Sequence, residues 1–166
     1  WGADDYQPPA KVKNEVLEPF TILASGFDTL HLALDVYWKD ECLFEKLEEW
    51  KAKAQENGFA YGSFEIEGND QRYPLSVKPH GSNGYKWLLE GKEMTIKLTE
   101  SLKPQSRPNA FVEIRSEALW RYGAEKATWH AIIFLQSQGA QRLQVKPSRV
   151  DLCVDCGLCT YVCPSK

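Results

Sequence analysis

The feature that most constrains what this chain can fold into is a strict two-residue alternation. From Thr29 to Tyr37, Leu30, Leu32, Leu34 and Val36 fall on one side of an extended chain, and His31, Ala33, Asp35 and Tyr37 on the other. A strand turns successive side chains to opposite faces, so the pattern requires a sheet with one face buried and one polar. The next segment can cover the buried face. Asp40 can cap a helix from about Glu41 to Asn57, where Leu43, Phe44, Leu47, Trp50 and Ala54 recur at helical spacing before Gly58 ends it.

Strand-like runs follow at Phe59 to Glu67, Tyr73 to Val77, Tyr85 to Glu90 and Glu93 to Thr99. Turn signals separate them: Gly68-Asn69-Asp70, Gly81-Ser82-Asn83-Gly84 and Gly91-Lys92. The last two runs are expected to pair as a hairpin. Beyond the Pro104 to Pro108 break, Ala110 to Arg115 reads as a strand, Ala124 to Gln138 as a helix ended by Gly139, and Arg149 onward as a strand. The expected fold is α+β, an antiparallel sheet with helices on one face in a split βαβ, RRM-like arrangement, and truncated.

With 166 residues the chain suits one domain plus its ends. An apolar fraction of 43% and a charged fraction of 26% place it among ordinary globular proteins and exclude disordered and fibrous classes. Residues 1–18 read as a linker or the remnant of an upstream segment, and 19–155 as the folded domain. The chain opens on Trp1, so its true start is expected to be missing, and Trp1 to Pro9 lacks the features of a secretion signal. No apolar run reaches the ~20 residues of a membrane span, so no membrane partner and a cytoplasmic location are expected. A net charge of −3 excludes a uniformly basic surface, although a local basic groove remains compatible with it.

Four segments together resemble the replication initiation factors of bacteria, plasmids and phages of the rolling-circle, Rep_trans type. They are Ser25 to Leu30, Asn83 to Leu89, Phe111 to Trp120 and Lys146 to Asp155. The likeness spans roughly Phe20 to Asp155. It implies a DNA partner at a replication origin, leaves a homodimer open, and implies nicking of one strand through a tyrosine, aided by Mg2+ or Mn2+ on carboxylates. Glu113, Asp151 and Asp155 are the ligand candidates. Glu113 and Asp151 would meet across neighbouring strands, whereas Asp151 and Asp155, four residues apart on a strand, would be ~13 Å apart. The competing reading makes these carboxylates ion-pair partners of Arg115 and Arg149.

None of the seven tyrosines matches the context of the nucleophile, so the second half that would carry it is expected to be absent and this portion inactive alone. His31, His80 and His130 are scattered and form no metal motif. A non-catalytic reading is a nucleic-acid-binding module in which Tyr37, Trp38, Tyr85 and Trp87 supply stacking surface.

The tail at 153–166 points elsewhere. Cys153, Cys156, Cys159 and Cys163-Pro164 form CxxCxxCxxxCP, which resembles the bacterial ferredoxin run and implies a [4Fe-4S] cluster and electron transfer as the alternative function. Clustered cysteines suit metal ligation in a reducing compartment better than disulfides. Cys42 is expected to be a small buried helix residue, or the distant fourth ligand. The two resemblances compete, since the initiator needs an extended strand to Asp155 where a cluster needs the chain to curl from Cys153.

Overall fold

The computed structural model describes residues 21–66 and 69–157. Seven strands and two helices follow in the order β1 (Thr21–Trp38), α1 (Cys42–Asn57), β2 (Ala60–Ile66), β3 (Asn69–Val77), β4 (Trp87–Glu90), β5 (Met94–Leu98), β6 (Ala110–Arg115), α2 (Ser116–Ser137) and β7 (Ala140–Gly157). The strands form one open antiparallel sheet ordered β2-β3-β4-β5-β6-β1-β7. Its β7-β1-β6-β5 portion has the strand order of a split βαβ unit, and β2, β3 and β4 widen it. Gly26–Cys153 form one compact unit, and the geometry below lies within it.

Both helices cover the same face. Phe64 of β2 meets Trp50 of α1 at 5.0 Å and Phe134 of α2 at 5.2 Å, ring centre to ring centre. Helix α1 has to carry the chain from β1 to the far edge at β2, five strand spacings or ~24 Å. Its 16 residues at ~1.5 Å each match that width. Its aromatics mark the route. Phe44 packs on Trp38 of β1 and stacks on Trp87 of β4, and Trp50 reaches Phe64. Gly62 makes room for that end of the helix, because a Cβ there would stand 2.7 Å from the Trp50 ring.

The core follows the alternation. Leu30, Leu32, Leu34, Val36 and Trp38 of β1 are buried with Ala110, Val112 and Ile114 of β6 and with Met94, Ile96 and Leu98 of β5. Between β1 and β6 the ladder runs from Thr29↔Arg115 to Leu34↔Ala110. Pro108 has no N–H to continue it. Asn109 does so instead: its side chain accepts from the Val36 N–H and donates to the Val36 carbonyl, both at 2.8 Å, and donates to the Ser101 carbonyl at 2.9 Å. The Asn83-Gly84 turn lies just before β4. Both residues have positive φ, 51° and 79°, and Ser82 and Tyr85 exchange backbone hydrogen bonds across it, the mirror-image turn that Asn-Gly favours.

Strands β1 and β3 start earlier than the sequence suggests, at Thr21 and at Asn69, where a turn was expected, and three further features differ. Helix α2 begins at Ser116, directly after β6, with Gly123 as a non-helical break at φ 79°, ψ 162°. Strand β7 begins at Ala140 rather than Arg149. Cys42 is exposed rather than buried, and its backbone N–H donates to Asp40 at 3.1 Å, so Asp40 caps α1 as expected but from one residue further out. The Asp40 carboxylate also holds the Cys42 thiol above its ordinary value. The linker expected over 1–18 lies outside the described residues.

Candidate nucleic-acid interface

The sheet face opposite the helices carries Thr29, His31, Ala33, Asp35 and Tyr37 from β1, Phe111, Glu113 and Arg115 from β6, and Thr95 and Lys97 from β5. From Arg142 onward strand β7 adds its even-numbered residues, because Arg142 lies over the Tyr37 ring at 5.7 Å and Lys146 donates to Asp35 at 3.0 Å. The alternation of β7 runs unbroken. Tyr37 to Gly26 on β1 and Arg142 to Cys153 on β7 span equal numbers of residues, and the Cys153 thiol stands 3.7 Å from the Gly26 carbonyl. Leu143 and Val145 accordingly pack on the core, and Arg149, Asp151 and Cys153 share their side of the strand.

Two groups of contacts organise this face. Phe111 is the hub of the first: His31 meets its ring edge-on at 5.6 Å, Tyr85 lies 6.1 Å away, and the Lys97 ammonium stands 5.4 Å from its centre. Lys97 donates to Glu113 at 2.5 Å, which compensates an ammonium whose side chain is only 10% exposed. Arg115 anchors the second, donating to Glu90 at 2.9 Å and to the Thr95 hydroxyl at 3.2 Å. Lys78 stands 2.6 Å from the other Glu90 oxygen and, with Arg115, holds that carboxyl below the usual carboxylate range.

The carboxylates expected to share a cation do not come together. Strand β1 lies between β6 and β7, and alternation places Asp151 on the helix side while Glu113 faces away from the helices. The expectation of neighbouring strands fails because β7 adds outside β1 rather than beside β6. Across β1 the residue opposite Glu113 is His31. Glu113 is bound by Lys97 and Asp151 by Arg149 at 2.8 Å, so each carries a cation of the chain itself. The Asp155 side chain lies outside what is described. Among the described residues no three His, Cys, Asp or Glu side chains are grouped to hold an ion. Glu113 and Asp151 do not fit a shared Mg2+ or Mn2+.

The stacking candidates divide between the two faces. Trp38 and Trp87 belong to the core at 6% and 1% exposure, whereas Tyr37 and Tyr85 lie on the helix-free side. Phe111 and His31 were missed as aromatic surface, although the same alternation that buries Leu32 puts His31 beside Tyr37. Burial pushes the Tyr85 hydroxyl up, away from the ionised form a nucleophile needs, and it donates to the Pro108 carbonyl at 3.4 Å.

For the cysteine run, β7 continues through Gly157, so Cys153 and Cys156 belong to extended backbone. An extended backbone at these positions is not the curled chain that a shared cubane needs. Cys159 and Cys163 lie outside the described residues.

Comparison with family models, with curated proteins and with solved structures finds no match to this chain.

Proposed function

We propose that this chain is the DNA-binding portion of a rolling-circle replication initiation protein, and that DNA lies on the helix-free sheet face. One observation carries the reading. That face combines exposed or half-buried rings, Tyr37, His31, Phe111 and Tyr85, with cations set among them, Arg142, Lys146, Lys97 and Arg115. Bases stack on rings regardless of sequence, and cations neutralise the backbone they are strung on. Lys146, Lys97 and Arg115 are paired there with Asp35, Glu113 and Glu90, so a phosphate backbone would compete with these carboxylates for them. Strand nicking, its tyrosine and any divalent cation belong to the wider initiator proposal and rest on no residue of this face.

The test is fluorescence anisotropy with a labelled single-stranded oligonucleotide at low salt. Tyr37→Ala and Phe111→Ala are expected to weaken binding by about 1–3 kcal/mol for each base unstacked. Arg142→Ala and Lys146→Ala are expected to flatten its salt dependence. No binding at low salt, or binding indifferent to all four substitutions, would overturn the reading.

A further inference from the structure

Strand β7 ends the sheet, and among the described residues nothing pairs with its outer edge. An edge of unpaired N–H and C=O groups is a template for another strand unless its side chains forbid one. Here they do not. Val150 and Leu152 are 47% and 73% exposed, and between them lies Asp151, paired along the strand with Arg149.

Pro147 fixes which backbone groups face outward. It has no N–H for the ladder to β1, so within a strand it takes a position whose N–H side faces away from the neighbour. Arg149 and Asp151 have the same parity as Pro147 and turn their own N–H and C=O groups outward with it. Residues two apart on one edge are what an antiparallel partner needs for a closed ring of two hydrogen bonds.

We propose that β7 pairs edge to edge with β7 of a second copy of this chain, antiparallel and centred on Val150. A twofold axis at Val150 sets Arg149 of each copy opposite Asp151 of the other, so the register that closes the backbone ring also places opposite charges across the junction twice. A strand that is its own charge complement about one residue selects a second copy over an unrelated strand. The axis brings the two Val150 side chains together and lays Leu152 of each copy beside Ser148 of the other, covering two exposed apolar groups of this strand. The two sheets become one, with both helix-free faces on the same side. The dimer does not depend on what that face binds.

The experiment is sedimentation equilibrium of the full chain under reducing conditions, with circular dichroism on every variant. The wild type is expected to dimerise. Arg149→Asp and Asp151→Arg each place like charges across the junction and are each expected to weaken dimerisation about tenfold or more. Mixing the two variants is the decisive step, because every cross-junction pair in the mixed dimer is again opposite in charge while the pair along each strand stays repulsive. Dimer restored only in the mixture supports the proposal. Val150→Glu, at an exposed position, is expected to abolish the dimer without unfolding the monomer. A monomeric wild type, a mixture no better than its components, or a dimer indifferent to Val150→Glu would overturn it.

Discussion

On β1, Leu34 and Asp35 are neighbours in sequence and belong to different chemical regimes. Leu34 is fully buried under the helices, whereas Asp35 on the other face pairs with Lys146. The same division runs through β6, where Val112 is sealed in the core and Glu113 holds Lys97, and through β5, where Ile96 and Lys97 alternate. The helix-covered face is held by apolar contact that does not depend on partner identity. The helix-free face is held by named pairs, each of which fails if one member is lost. Stability should therefore reside on the first face and recognition on the second.

The largest test of that division compares the two neighbours. Leu34→Ala is expected to cost about 3–4 kcal/mol, the loss of buried methylenes plus the cavity left behind. Asp35→Ala breaks a pair whose lysine is 56% exposed and whose carboxylate is 19% exposed, and is expected to cost about 1 kcal/mol or less. Urea denaturation of the two variants measures both. Losses of similar size would mean that the faces do not divide the work.

Asn109 crosses the division, a polar side chain 2% exposed on the covered side. Asn109→Ala leaves the Val36 N–H and carbonyl without partners in the core and is expected to cost about 3 kcal/mol. In hydrogen exchange the Val36 amide is expected to lose protection well before that of Leu32. Equal protection of both amides in the variant would show that β1 does not need this clamp.

These residues also show what the sequence makes legible. β1, α1 and the Asn83-Gly84 turn were readable because one local rule governs each: alternation, helical spacing, positive φ. The start of β7 was not. Gln141, Arg142, Gln144, Lys146 and Pro147 crowd a stretch in which Leu143 and Val145 alone face the core, as an edge strand with one covered side allows. The first turns of α2 were also hidden, since Ser116 follows β6 without a connecting loop and Gly123 breaks the helical period. The paired carboxylates were misplaced for a different reason. Sequence identified Glu113 and Asp151 as strand residues but carries no local record of strand order, and β1 lies between them.

Within the helix-free face, the Lys97 and Glu113 pair should respond asymmetrically. Glu113→Ala strands an ammonium with 10% exposure and is expected to cost about 2 kcal/mol. Lys97→Met leaves a carboxylate that is 29% exposed and keeps the buried stem, so a cost of about 1 kcal/mol or less is expected. Equal costs in chemical denaturation would place the two groups in equivalent surroundings, against the burial that distinguishes them.

The smallest effect tests whether the charge pairs of this face contribute to folding at all. Lys78 and Arg115 depress the Glu90 carboxyl in the folded chain, so the folded state binds this proton less readily than the unfolded one. A depressed carboxylate stabilises above its unfolded pKa of about 4.3, and that contribution is lost as pH falls through the lower folded value. Glu90 is 40% exposed along its side chain, and solvent screening limits the contribution to about 0.5 kcal/mol. Glu90→Gln is expected to be less stable than wild type by that amount at neutral pH, and the two should converge as pH falls below about 4. Urea titrations at several pH values measure the gap. A gap that persists in acid would assign the loss to the shape of the side chain rather than its charge, and the helix-free face would then be held together by packing, as the covered one is.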